Sequence, residues 1–305
     1  MSERIWSLIK RNAEHKMLVQ RVISKAKRKV DAALFSGHKP DFLIVGAQKS
    51  GTTSLFSYLE ERNGFLGSKP KEVHFFDRED NFAKGDDWYH SHFIKRPGQK
   101  GLIFEASPEY LSRAKVAPRL KAYNPKLKII IILREPISRA YSAWNMYRQW
   151  SVEGVLPWAI ANDQHGKDES PIFRTFFKNG CPSFTEYVQI EMGLIEKSDG
   201  EEEPSLLRRG LYKQQIARYV GLFGWNNVQV LGFNELKNDS ESVIRKCHEF
   251  LGVPYHEPKA VGENGIMNKR AYPSKISSGD LEILQKFFEQ PNKELFEYLG
   301  FQPDW

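Results

Sequence analysis

Residues 42–54 read FLIVGAQKSGTTS: an apolar run, a glycine-bracketed turn carrying a lysine, then hydroxyl residues opening a helical pattern. Gly46 and Gly51 have the G-x-x-x-x-G spacing of a phosphate loop, whose glycines let the backbone bend its N–H groups towards an anion. The helix that follows points its positive dipole end at the same spot. In an ATPase or GTPase the second glycine is followed by Lys and then Ser/Thr, which serve the β/γ-phosphates and magnesium. Here Thr52 and Thr53 fill those positions and the lysine, Lys49, precedes Gly51. A nucleoside triphosphate with magnesium fits this register poorly. A shorter anion without a metal, with Lys49 at its reacting end, fits better.

Working outward, LIFE (102–105), KIIIIL (128–133) and VQVLGF (228–233) read as further strands. The third run in the chain, KIIIIL, is apolar throughout, as in a parallel strand covered on both faces. Helical patterns lie at about 52–62, 137–149, 211–223, 240–251 and 278–299. Strand–helix alternation predicts an α/β fold with a central parallel sheet between helical layers. Residues 150–206, rich in glycine and proline and ending in the acidic run DGEEEP, read as an irregular insertion that walls an acceptor cleft.

A second anion site is expected in KIIIILREPISRAYSAW (128–144). Arg134 stands at the carboxyl end of a strand, where open α/β sheets bind ligands. Pro136 suits a helix start. Ser138 and Ser142 fall on one helical face, and the planar fork of Arg134 suits a phosphate. Two such sites imply a nucleotide phosphorylated at two places.

Residues 1–39 stand apart, with ten lysines and arginines against three acids. Trp6, Ile9, Ala13 and Met17 recur at helical spacing, so this basic extension either docks on anionic lipid at the membrane periphery or packs on the domain by one face. The net charge of +7 calls for an anionic partner. Nucleic acid is not expected, since no recognition motif accompanies the basic run KAKRKV. No apolar run approaches the roughly 20 residues that cross a bilayer, and the amino terminus lacks the pattern of a secretory signal. Cys181 and Cys247 are the only cysteines and lack metal-site spacing, which points to a reduced, cytoplasmic setting.

From about residue 40 to its end the chain resembles the sulfotransferases that use 3′-phosphoadenosine 5′-phosphosulfate (PAPS). The likeness is to the carbohydrate-directed branch that includes heparan sulfate N- and 3-O-sulfotransferases and bacterial relatives. GAQKSGTTS (46–54) resembles the family's 5′-phosphosulfate loop, and LREPISRAYS (133–142) its 3′-phosphate motif, with Arg134 and Ser142 in the binding positions. KEVHFFD (71–77) resembles the segment carrying the catalytic glutamate, and RGLYKQQIARYVGLFG (209–224) and VLGFNEL (230–236) also follow family pattern.

The resemblance implies a P-loop-like α/β domain over 40–305, PAPS as sulfuryl donor, no metal, and a carbohydrate or glycoconjugate acceptor. It implies Lys49 near the bridging oxygen of the donor, with Ser50, Gly51, Thr52, Thr53 and Ser54 as its anion ligands. Glu72 is the expected base and His74 the alternative, since the two share one side of an extended segment. Lys71 is expected at the acceptor. MNKRAYP (267–273) resembles a lysine–glycine–arginine turn that closes over the cofactor, with Asn268 and Lys269 out of pattern and Arg270 in register. EASPEYL (105–111) resembles a cleft segment in which Glu105 and Ser107 contact the acceptor. The heparan enzymes carry a lysine where this chain has Ala106, and paired cysteines that it lacks, so a heparan-like polyanion is not the default acceptor. Two other classes remain open: a nucleotide kinase or triphosphatase on the same loop, and a non-catalytic basic protein working through residues 1–39.

Overall fold

The computed structural model describes residue 30, residues 34–35, 37–62, 64–157, 160, 167–197, 204–255, 272 and 274–305. Most of the basic extension and the 267–273 turn, with Asn268, Lys269 and Arg270, lie outside the described residues.

Along the chain come β1 (Phe42–Gly46), α1 (Thr52–Glu60), β2 (Phe65–Gly67), α2 (Glu79–Phe82), α3 (Gly85–His90), β3 (Leu102–Ala106), α4 (Val116–Tyr123) and β4 (Lys128–Leu133). These are followed by α5 (Pro136–Val152), α6 (Pro171–Phe176), α7 (Phe184–Ile195), α8 (Tyr212–Phe223), β5 (Val228–Gly232), α9 (Phe233–Asn238), α10 (Ser240–Leu251) and α11 (Ser278–Leu299). The strands form one sheet in the order β2-β3-β1-β4-β5, every pair parallel. β1 sits at its centre, with Phe42 opposite Phe104 on one side and Lys128 on the other. The α/β expectation therefore holds.

Side chains alternate across the sheet. Leu43, Val45, Ile129, Ile131 and Leu133 pack with Tyr110, Leu120, Ile216 and Tyr219 on one face. Phe42, Ile44, Ile130 and Ile132 pack with Leu55, Leu59, Val243, Ile244 and Cys247 on the other. This explains why KIIIIL shows no alternation: both of its faces are dry. The strand expected over 228–233 stops at Gly232, and Phe233 opens a helix instead.

Residues 150–206 are not irregular throughout. α6 is capped by Ser170, with Pro171 at its start. α7 begins with a capping box in which Ser183 and Glu186 satisfy each other's backbone N–H groups. Ile172, Phe176, Phe184, Tyr187 and Val188 pack on Ala140, Trp144 and Tyr147 of α5 and on Leu284 and Phe288 of α11, forming a core separate from the two faces of the sheet. Glu191, almost fully buried, pins this lobe to the chain that follows by accepting from the Leu207 and Arg208 amides at 2.8 and 2.9 Å. Among the described residues no helix is long and apolar enough to cross a membrane.

Candidate active site

Two strand-to-helix turns stand next to each other at the carboxyl edge of the sheet, because β1 and β4 are neighbours. In the first, Gly46 allows tight packing: a Cβ there would lie 2.6 Å from the Leu111 Cβ. Gly51 holds φ 89, a left-handed conformation suited to glycine, and a Cβ on it would meet the Phe233 ring at 3.0 Å. Gly51 is the N-cap of α1, and no side chain caps the helix. The first-turn amides of a helix lack acceptors within it. Lys49, half-buried just before this end, is left-handed at φ 68. Ser50, Thr52 and Ser54 are buried, while Thr53 is only partly so.

The second turn is built differently. Pro136 starts α5, and the carboxylate of Glu135 accepts from the Ile137 and Ser138 amides at 2.8 and 2.6 Å. The start of α5 is thus already supplied with an anion. What this turn offers a ligand is the Arg134 side chain, with Ser138 half-buried and Ser142 nearly closed off at 6% exposure. Arg134 Nη1 donates to the Lys49 carbonyl at 3.1 Å, so the two expected anion sites touch.

The 71–77 segment runs beside the end of β3. Lys71 Nζ lies 2.5 Å from one Glu72 oxygen, and His74 Nε2 lies 3.5 Å from the other. His74 Nδ1 is 2.8 Å from Asp77 Oδ2. Like Lys49, His74 is a non-glycine residue at positive φ, here 55. Left-handed conformations in non-glycine residues cost energy and concentrate at functional sites. Burial opposes charge on both Glu72 and His74, yet their partners prevail. The Glu72 carboxyl is pulled down to about 2 by His74 and Lys71, and the His74 imidazole is pushed up to about 10 by Asp77 and Glu72. The contact thus favours a carboxylate on Glu72, whose side chain is 40% exposed, and a protonated ring on His74.

Glu105 and Ser107, expected at the acceptor, are completely buried and serve as scaffold instead. Ser107 and Tyr89 donate to Glu105 at 2.5 Å each, Tyr110 at 2.9 Å and the Val73 amide at 3.3 Å. Tyr110 in turn receives the Phe75 amide at 2.9 Å, and Ser107 that of His74 at 3.4 Å. A carboxylate with four donors, sealed from water, thus sets the backbone on which Glu72 and His74 stand. Burial pushes the Glu105 carboxyl up, against the pull of those hydroxyls.

Two acids were missed by sequence reasoning. Asp77 orients His74, and its i+3 position after the histidine was a readable signal. Glu109 receives Gln48 Nε2 and Arg209 Nη1, both at 3.4 Å, tying the first turn to the 3-10 turn Arg208–Gly210. No local pattern announces that contact, because its partners lie 61 and 100 residues away. Among the described residues no group of three His, Cys, Asp or Glu is arranged to hold a metal ion.

Comparison with known proteins fits this arrangement. The family described as Sulfotransferase domain matches residues 39–269. The heparan sulfate glucosamine 3-O-sulfotransferase 5 of Mus musculus is 36% identical over 87% of this chain and 74% of its own length. The membrane-associated sulfotransferase kil1 of Dictyostelium discoideum is 23% identical over 87% of the chain. The bifunctional heparan sulfate N-deacetylase/N-sulfotransferase 3 of Homo sapiens is 29% identical over 71% of it. The chain spans 66% of the length of the Dictyostelium protein and 23% of the human one. A sulfotransferase from Alicyclobacillus acidocaldarius superposes with a TM-score of 0.64 at 27% identity, over 87% of this chain and 98% of that one. With the family domain spanning both turns and the whole parallel sheet, the chain belongs to the sulfotransferase family.

Proposed function

We propose that the chain moves a sulfuryl group from PAPS to a hydroxyl or amine of a carbohydrate or glycoconjugate, without a metal ion. The observation that carries this reading is the uncapped start of α1 with Lys49 beside it, one strand away from Arg134. This set suits a doubly anionic nucleotide: amides and a lysine for its 5′ end, a planar guanidinium for its 3′-phosphate. PAPS, when bound, supplies a sulfuryl group already activated by its phosphate leaving group. The first-turn amides, together with Ser50, Gly51, Thr52, Thr53 and Ser54, hold the 5′ end. Lys49 stabilises negative charge growing on the leaving oxygen. Arg134 and Ser142 hold the 3′-phosphate, and Asn268, Lys269 and Arg270, outside the described residues, are further candidate ligands for the phosphates.

Glu72 takes the acceptor's proton. His74 favours the ionised form of Glu72 and is itself oriented by Asp77, which assigns it a supporting part and leaves Glu72 the better placed base. Lys71 neutralises the other Glu72 oxygen and stands at the acceptor entrance. The carbohydrate acceptor is supported by the 36% identity to a heparan sulfate 3-O-sulfotransferase. The lobe built on α5 lies next to the Arg134 turn in sequence and forms the acceptor wall. Peripheral membrane contact through residues 1–39 accords with a relative named as membrane-associated.

The test is incubation with sulfur-labelled PAPS and a panel of polysaccharides, glycolipids and simple alcohols. Label should pass to a glycan with the wild-type protein and fall by about 10²-fold or more in Glu72→Gln. Transfer to none of the panel, or equal transfer by both proteins, would overturn the reading.

A further inference from the structure

A left-handed lysine persists only where its neighbours over-determine it. At Lys49 (φ 68) one such neighbour comes from the adjacent strand, the Arg134 Nη1 donating to the Lys49 carbonyl at 3.1 Å. Arg134 is itself held on two sides. Its guanidinium lies over the Phe233 ring at 4.7 Å, and Tyr212 donates its hydroxyl to the Arg134 carbonyl at 2.8 Å. The same Phe233 ring backs Gly51, leaving no room for a Cβ there. One flat cation and one ring therefore bracket the Lys49–Gly51 turn. The arrangement depends on a planar group that can stack and still aim an N–H, which a lysine ammonium cannot reproduce.

We propose that Arg134 is a positioning residue for Lys49, fixing the turn even when no 3′-phosphate is present; this rests on the donor-site reading above. A phosphate drawn to the remaining guanidinium N–H groups then meets an arginine already bonded to the Lys49 backbone. Occupancy of the nucleotide's tail and the geometry at its reacting head are thereby coupled through one side chain.

Amide hydrogen exchange on ligand-free wild-type, Arg134→Lys and Arg134→Gln proteins tests this without turnover. Exchange across 46–51 should quicken by about tenfold in both variants, the loss of one charge-assisted bond, while α10 is unchanged. Loop exchange equal to wild type in Arg134→Gln overturns the proposal. Binding of adenosine 5′-monophosphate, which has no 3′-phosphate, should weaken by a similar factor, and that of adenosine 3′,5′-bisphosphate by more. If only the bisphosphate weakens, Arg134 serves the tail alone and the proposal fails. If wild type binds neither nucleotide, the donor reading falls, and loop exchange still decides whether Arg134 positions Lys49.

Discussion

The turns after β1 and β4 are neighbours in space and opposites in construction. The first leaves its helix uncapped behind Gly51; the second fills its helix start with the Glu135 carboxylate and presents an arginine side chain instead. Helix starts attract anions in general, so the difference lies in who supplies the anion. The start of α5 is closed by its own chain; that of α1 has no side-chain cap, which it shares with α2, α3, α4, α8 and α9, and what sets it apart is Lys49 beside it and Arg134 bonded to the Lys49 carbonyl. At the second turn Glu135 occupies the Ile137 and Ser138 amides, which leaves the Arg134 side chain as the group it offers.

The strongest way to break this contrast is Lys49→Ala. Transfer should drop by about 10²–10³-fold while the thermal melt stays within a few degrees; near-normal turnover would mean that the open turn is not where charge develops. His74→Asn comes next, with asparagine chosen because it tolerates the left-handed backbone. His74 favours the charged form of Glu72, so its loss must raise the Glu72 carboxyl from about 2 towards the ordinary carboxylate range. The acid limb of the rate profile then moves to higher pH, and an unmoved limb would separate His74 from the base.

Gly51→Ala should cost about 1–2 kcal/mol of stability through its left-handed backbone and the Phe233 contact, read from a denaturant melt. It should also weaken adenosine 3′,5′-bisphosphate binding, the amides of this turn being its proposed ligands. The smallest effect belongs to the closed turn. Glu135→Ala should remove about 1 kcal/mol of stability through lost capping, with nucleotide affinity unchanged or slightly improved. A large loss of affinity there would erase the distinction between the turns.

Much of the fold was legible because apolar runs of four to six residues alternated with helical patterns. β2 was not, since Phe65–Gly67 is only three residues long, follows Gly64, ends in a glycine itself and pairs only with β3. The lobe helices were obscured by scattered proline and glycine, although Pro171 sits harmlessly at a first helical position and Ser183-x-x-Glu186 is a start signal that could have been read. Around the candidate site, the continuous motifs led to residues that the fold brings into contact in pairs, Lys49 with Arg134 and Glu72 with His74. Glu105 and Ser107 were misread, because an acid at a strand end looks the same whether it faces a cleft or is buried under three tyrosine and serine hydroxyls. Only the packing of Tyr89 and Tyr110 over it decides the matter.

The separate core of the α5–α7 lobe makes the molecule mechanically two-tiered. Because Phe176, Phe184 and Tyr187 lean on helices and not on the sheet, gentle heating or denaturant can melt that layer while the strand-borne turns stay in register. Sequence change can accumulate in the softer tier without disturbing the harder one.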